Sequence, residues 1–117
     1  MTVEDIAAAI GSVTYSVNRE TELQAAIFDV LTDAGLPAVR EVRLDARDRP
    51  DLMIGTVAVE VKTAGTWIAA VRQCQRYASH DAVDAVVLAT TRTAHLAAPA
   101  SIGGKPLRVV HIHGGWL

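Results

Sequence analysis

The chain has 117 residues and a mass of 12.4 kDa, half of it hydrophobic and 21% charged, which excludes a wholly disordered or collagenous chain. That length suits one domain, 1–117, whose folding buries about two thirds of the unfolded surface, so a core forms without staples. A formal net charge of -2 gives no global electrostatic reason to expect nucleic acid, and any such role has to come from a site.

In chain order, Thr2 is placed to cap a short helix running through Ile10, with Glu4 and Asp5 in its first turn and Gly11 at its end. A second helix has Asn18 as its expected cap. Leu23, Ile27, Val30 and Leu31 fall on one face, and Gly35 with Pro37 stops it. Three strand-like runs follow: Ala38 to Leu44 with half-buried alternation, Asp51 to Ile54, and the β-branched Val57 to Val61. Asp45 to Arg49 reads as a charged turn and Gly55-Thr56 as a tight connection. Trp67 to Ser79 returns to helical spacing, with Trp67, Val71, Cys74 and Ala78 as the apolar stripe. Ala85 to Thr90 and Leu107 to His113 are two more strands. A helix between the third and fourth strands implies a parallel crossover, so the expected fold is α/β with a mixed sheet flanked by helices.

The single cysteine, Cys74, supports neither an internal disulfide nor a cysteine zinc site, which points to the cytoplasm; its place on the apolar stripe makes it a small buried hydrophobe. The longest uncharged run, Thr93 to Gly104, is too short to cross a bilayer, and the acidic start at Glu4 and Asp5 is unlike a secretory signal. The expectation is therefore no membrane partner and no targeting segment.

The chemistry concentrates in Arg49-Pro50-Asp51-Leu52-Met53-Ile54-Gly55 and Val57-Ala58-Val59-Glu60-Val61-Lys62. Strand alternation puts Ala58, Glu60 and Lys62 on one face and Val57, Val59 and Val61 on the other. If the second and third strands pair as a hairpin, Asp51 comes beside Glu60 or Lys62, so two carboxylates and a lysine meet at one sheet edge. Asp51 and Glu60 are hard oxygen ligands suited to Mg²⁺, which readily accepts phosphate oxygens as well. Lys62 is placed to orient water or to offset phosphate charge. A Glu-x-Lys triplet alone arises by chance about 0.4 times in such a chain, so the weight rests on its combination with the upstream Pro-Asp and the β-branched run.

Pro50-Asp51 with Glu60-Val61-Lys62, in this order of elements, resembles the PD-(D/E)XK nuclease superfamily over the stretch from Glu20 to Thr90. Gln73-Cys74-Gln75-Arg76-Tyr77 is similar to the Gln-x-x-x-Tyr signature of its RecB-like members. The resemblance implies a restriction-endonuclease-like core (helix, three-stranded meander, helix, strand, strand) and a deoxyribonuclease using Mg²⁺ or Mn²⁺ at Asp51 and Glu60. Small relatives of this kind include Holliday-junction resolvases and phage-encoded nucleases, which places the chain in a bacterial or phage-infected cell. The iron-sulfur cysteines of some relatives are absent.

The resemblance further implies an acid on the first core helix and a role for Gln73 near the catalytic centre. At 100° per residue, Glu20 lies about 40° from the centre of its helix's apolar stripe and Glu22 about 120° away, so Glu20 is the candidate and Glu22 the reserve. The expected catalytic set is thus Glu20, Asp51, Glu60, Lys62 and Gln73. Arg40, Arg43, Arg47 and Arg49 crowd the first hairpin, nearly balanced by Glu41, Asp45 and Asp48. Arg47, Arg49 and Tyr77 are the candidate nucleic-acid contacts. Tyr77 reads equally as a core-boundary residue. His111 and His113 share a strand face but lack an evident third ligand. The expected partners are DNA and a second copy of the chain, with Trp116 as a possible anchor. The alternative is a non-catalytic module that keeps the nuclease fold and binds nucleic acid or protein.

Overall fold

A computed structural model describes residues 2–113, so the expectation at Trp116 lies outside the described residues. The first helix, α1 (Val3–Gly11), opens with a reciprocal cap: Asp5 N–H donates to Thr2 Oγ1 at 3.2 Å and Thr2 N–H to Asp5 Oδ2 at 2.8 Å. The second helix, α2 (Glu20–Asp33), starts one residue later than expected. Arg19 rather than Asn18 holds the cap position and gives no side-chain cap bond; its guanidinium instead pairs with Glu22 at 2.9 Å. Gly35, at φ 76°, ends this turn in the left-handed region that glycine adopts without penalty.

Strand β1 is only Ala38–Arg40, shorter than the expected run to Leu44. Glu41, at φ 54°, swings the chain out of the sheet, and Val42 and Leu44 then pack with the apolar side chains of the opposite layer. The alternation in the sequence is real but serves a loop. Strands β2 (Leu52–Ile54) and β3 (Val57–Lys62) form the antiparallel hairpin, with Leu52 opposite Val59 and Ile54 opposite Val57. Helix α3 (Trp67–Ala78) is capped by Thr66, whose Oγ1 accepts from Ala69 N–H at 3.2 Å. Its buried stripe is Ala70, Val71, Cys74, Tyr77 and Ala78; Trp67, expected on that stripe, is 38% exposed in the first turn.

Strand β4 (Ala85–Thr90) lies parallel to β3, as the intervening helix requires. A 3-10 turn (Thr93–Ala97) and a two-residue strand, β5 (Ser101–Ile102), follow where the sequence reads as loop. Strand β6 (Lys105–His111) is parallel to β4 and starts two residues earlier, and ends two earlier, than the expected Leu107 to His113. The result is a mixed six-stranded sheet in the order β1-β2-β3-β4-β6-β5 with helices on both faces, an α/β fold.

One face packs Val57, Val59, Val61 and Val87 against Ile6, Ile10, Leu23, Ile27 and Leu31 of α1 and α2. The other packs Ala58, Val86, Leu88 and Leu107 against Val71, Cys74 and Tyr77 of α3. Each fully buried aliphatic side chain contributes about 1.5–3 kcal/mol, so the two layers hold the central strands rigidly and fix what stands at their ends. Among the described residues no helix is long and apolar enough to cross a membrane.

Candidate active site

The hairpin register carries the site. With Leu52 opposite Val59, the next position outward sets Asp51 beside Glu60, where Asp51 N–H donates to Glu60 Oε1 at 3.4 Å and Val61 N–H donates to Asp51 Oδ2 at 2.8 Å. Glu60 faces α3, as the alternation requires, and is only 4% exposed. Two side chains hold it, one of them backed by a third. The Tyr77 hydroxyl donates to Glu60 Oε1 at 2.9 Å, Gln73 Nε2 donates to the Tyr77 hydroxyl at 2.8 Å, and Lys62 Nζ lies 3.4 Å from Glu60 Oε2. Gln73 and Tyr77 are one helical turn apart, which is why they act as a relay along the same edge of α3.

Glu20 reaches the same strand end from the other layer. Its Oε1 accepts from Thr63 N–H at 3.0 Å and from Thr63 Oγ1 at 3.4 Å, just beyond Lys62. Glu22 stays outside, its side chain 41% exposed and paired with Arg19. The C-terminal end of β3 therefore brings together Glu20, Asp51, Glu60 and Lys62, with Gln73 linked to Glu60 through the Tyr77 hydroxyl. Glu60 with Lys62 is the one ion pair in this group among the described residues.

Three carboxylates against one ammonium leave a surplus of negative charge in a partly dry place. Burial, then the neighbouring Glu60 and Glu20, push the Asp51 carboxyl up to about 7 against the opposing hydrogen bond from Val61 and the charge of Lys62. Burial also raises Glu60, opposed by Lys62 and by the Tyr77 hydroxyl. Tyr77 is raised in turn by burial and by the carboxylate it serves, so it remains a donor. Asp51 Oδ1 and Glu20 Oε2 carry no hydrogen bond among the described residues, yet neither is sealed from solvent. A hard divalent cation fits such a donor set, since it both relieves the repulsion and uses the open oxygens.

Tyr77, a candidate nucleic-acid contact, has its ring in the core at 1% exposure and its hydroxyl committed to Glu60, so its place is to position that carboxylate. Cys74 is buried, and its thiol is pushed up to about 12 by burial, consistent with a packing role. Gln75 faces outward. His111 and His113 stack edge to face with ring centres 4.6 Å apart.

A second acidic group, missed in the sequence, is Asp45, Asp48 and His80, whose ligand-type atoms lie within 4.8 Å of one another. Asp45 Oδ1 accepts from the backbone N–H groups of Arg47 and Asp48, at 2.8 and 2.6 Å, an Asx turn that an Asp followed by a polar run could have signalled. Asp48 is the centre of this group. Its Oδ2 meets His80 Nε2 at 2.8 Å, and its Oδ1 accepts from Nε of Arg47 and of Arg76, each at 3.2 Å. Those contacts, led by His80, hold its carboxyl down at about 2. Arg49, in contrast, has the exposed Glu41 at 4.0 Å as its one acidic partner among the described residues. Comparison with protein-family models, with curated proteins and with solved structures finds no match to this chain.

Proposed function

We propose that the chain is a metal-dependent deoxyribonuclease of PD-(D/E)XK type, hydrolysing DNA phosphodiester bonds at the C-terminal end of β3 on a restriction-endonuclease-like core. The observation that carries this reading is the pairing of Asp51 with the buried Glu60 at the C-terminal end of β3, an interior strand rather than the sheet edge expected from the sequence, with Lys62 as the one cation beside them among the described residues. Asp51 and Glu60 would hold Mg²⁺ or Mn²⁺, and Glu20 stands near enough to repel Asp51 and so to share in that charge balance. Such an ion supplies Lewis acidity toward the phosphoryl oxygens and makes water a stronger nucleophile.

The remaining work belongs to the side chains. Lys62 places an ammonium beside the carboxylates, where it steadies charge gathering on the phosphate. Tyr77 and Gln73 fix Glu60 in one rotamer, so the ligand geometry is set before substrate arrives. Thr63 does the same for Glu20 through two hydrogen bonds. The same proposal takes DNA as the substrate and a two-fold dimer as the working form, since one small acidic chain offers few cations to a duplex. Light scattering at micromolar concentration tests the dimer.

The test of activity is incubation of the full chain with supercoiled, linear, single-stranded and four-way-junction DNA, with Mg²⁺, Mn²⁺ and EDTA in parallel. Cleavage that needs metal and disappears in Asp51→Asn and in Glu60→Gln, both still folded, supports the assignment. Metal-independent cleavage, or variants that cut at the wild-type rate, overturns it. DNA binding without cleavage under every metal condition replaces it with a non-catalytic module on the same fold.

A further inference from the structure

Between the loop that leaves β1 and the outer edge of α3 lies a cavity of about 340 Å³ walled by Arg43, Arg47, Arg49 and Arg76, with Gln73 and Tyr77 along one side. Four guanidinium groups meet here in a protein whose formal net charge is -2. The single acid in the wall, Asp48, is already spent. Its side chain is 1% exposed, and its two oxygens accept from Arg47, Arg76 and His80.

The manner of that engagement matters. Arg47 and Arg76 both bond Asp48 through Nε, and no hydrogen bond among the described residues occupies their terminal Nη groups. Arg43 has one long contact, Nη1 to the Ala46 carbonyl at 3.4 Å, and Arg49 has Glu41 at 4.0 Å. Asp48 thus holds two guanidinium groups through Nε, and their Nη donors have no hydrogen bond among the described residues. Planar guanidinium groups of this kind match the oxygens of a phosphate, and one carboxylate among four guanidinium groups leaves the wall with an excess of positive charge.

The cavity also adjoins the candidate active site. Gln73 and Tyr77 form one of its sides, and the Tyr77 hydroxyl lies 2.9 Å from Glu60 Oε1. We propose that this arginine cavity seats one phosphate group of the DNA strand whose neighbouring linkage lies at Asp51 and Glu60. The proposal takes its ligand from the nuclease reading and adds a site to it. The phosphate is either a terminal group or one within the strand; both present the same oxygens to the same guanidinium groups.

The experiment measures binding of the full chain to short duplexes in EDTA by fluorescence anisotropy across a salt series, with strands ending in 5′-phosphate or in 5′-hydroxyl. The test variant is Arg43→Gln with Arg49→Gln, which leaves every Asp48 contact in place; thermal melting confirms the fold. The control is Arg92→Gln, at the start of the 3-10 turn and outside the cavity wall. The expected result is about tenfold weaker binding by the double variant, with a salt slope lower by about one phosphate and no change in the control. A loss confined to 5′-phosphorylated duplexes identifies a terminal phosphate, and an equal loss on both identifies an internal one. Cleavage with Mg²⁺ is followed in parallel. Cavity-dependent binding without cleavage under any metal ends the nuclease reading and leaves the seat standing. Cleavage by a double variant with wild-type affinity and salt slope ends the seat and leaves the nuclease reading. Absence of DNA binding by the wild-type chain overturns the seat.

Discussion

Asp48 and Asp51 stand three residues apart, each placed against an edge of α3 or of the strand beneath it, and their surroundings treat them in opposite ways. Asp48 meets His80, Arg47 and Arg76 and is held down at about 2; Asp51 meets Glu60 and Glu20, has one ammonium nearby, and is pushed up to about 7. A buried acid supplied with its own cations is a fastening, complete as it stands. One set among other acids keeps its proton to higher pH, and on the proposed reading a cation from outside the chain takes that proton's place. The two positions divide the labour: Asp48 holds the loop to α3 and pairs with arginines, whereas Asp51 stands among acids and, on the proposed reading, takes a cation.

The largest effect should come from Asp51→Asn, which removes a proposed metal ligand and is expected to lower the cleavage rate about a hundredfold or more, measured at saturating Mg²⁺. Asp48→Asn should stay within a few-fold of the wild-type rate; the reverse order would invert the division of labour. Stability should run the other way. Asp48→Ala frees Arg76 and His80 from a buried partner and is expected to cost about 2 kcal/mol in urea unfolding, with the share of exposed Arg47 discounted for solvent screening. Removing Asp51 from the metal-free protein relieves repulsion, so Asp51→Asn should unfold at equal or higher urea.

The pH dependence sharpens the contrast. Asp51 titrates higher folded than unfolded, so the native state binds the extra proton between about 4 and about 7, and metal-free stability should fall as pH rises through that window. Asp48 titrates lower folded than unfolded; its contribution is present above about 4 and lost as pH drops toward about 2. Urea midpoints across pH for wild type, Asp51→Asn and Asp48→Asn separate the two slopes, and saturating Mg²⁺ should flatten the Asp51 slope alone. The smallest effects belong to the relay. Tyr77→Phe should cost about 1 kcal/mol and slow cleavage severalfold, because Glu60 loses a donor while the ring still fills the core. Gln73→Ala should slow cleavage less, with melting nearly unchanged. A melting loss in Gln73→Ala as large as in Tyr77→Phe would assign it to packing.

The parts legible in the sequence were those whose cause is local. The alternation in Val57-Ala58-Val59-Glu60-Val61-Lys62 fixes both its strand and the face of Glu60, and the unbroken run Ala85 to Thr90 is a strand buried on both sides. The facing of Glu20 follows from helical geometry alone. What could not be read depends on distant partners or on backbone angles. Nothing about a glutamate announces φ 54° at Glu41, so β1 looked longer than it is. A two-residue strand such as β5 carries no period to detect. Asp48 meets Arg76 and His80 across 28 and 32 residues, and in the sequence it is one charge among many in a turn.

Helix α1 packs on β4 and β6, and Arg108 Nε donates to Glu4 Oε1 at 2.7 Å across 104 residues. Nearby, Tyr15 N–H donates to the carbonyl of His113 at 3.0 Å. The contacts of the first helix with the last strand close a long loop, the slow kind of contact, so they are expected late in folding. The β2–β3 hairpin needs no such wait, because Asp51 and Glu60 are nine residues apart across one tight turn. Pulsed hydrogen exchange during refolding should show the β3 amides protected before those of α1. That order would set the acid pair early in folding, before α1 and β6 come together.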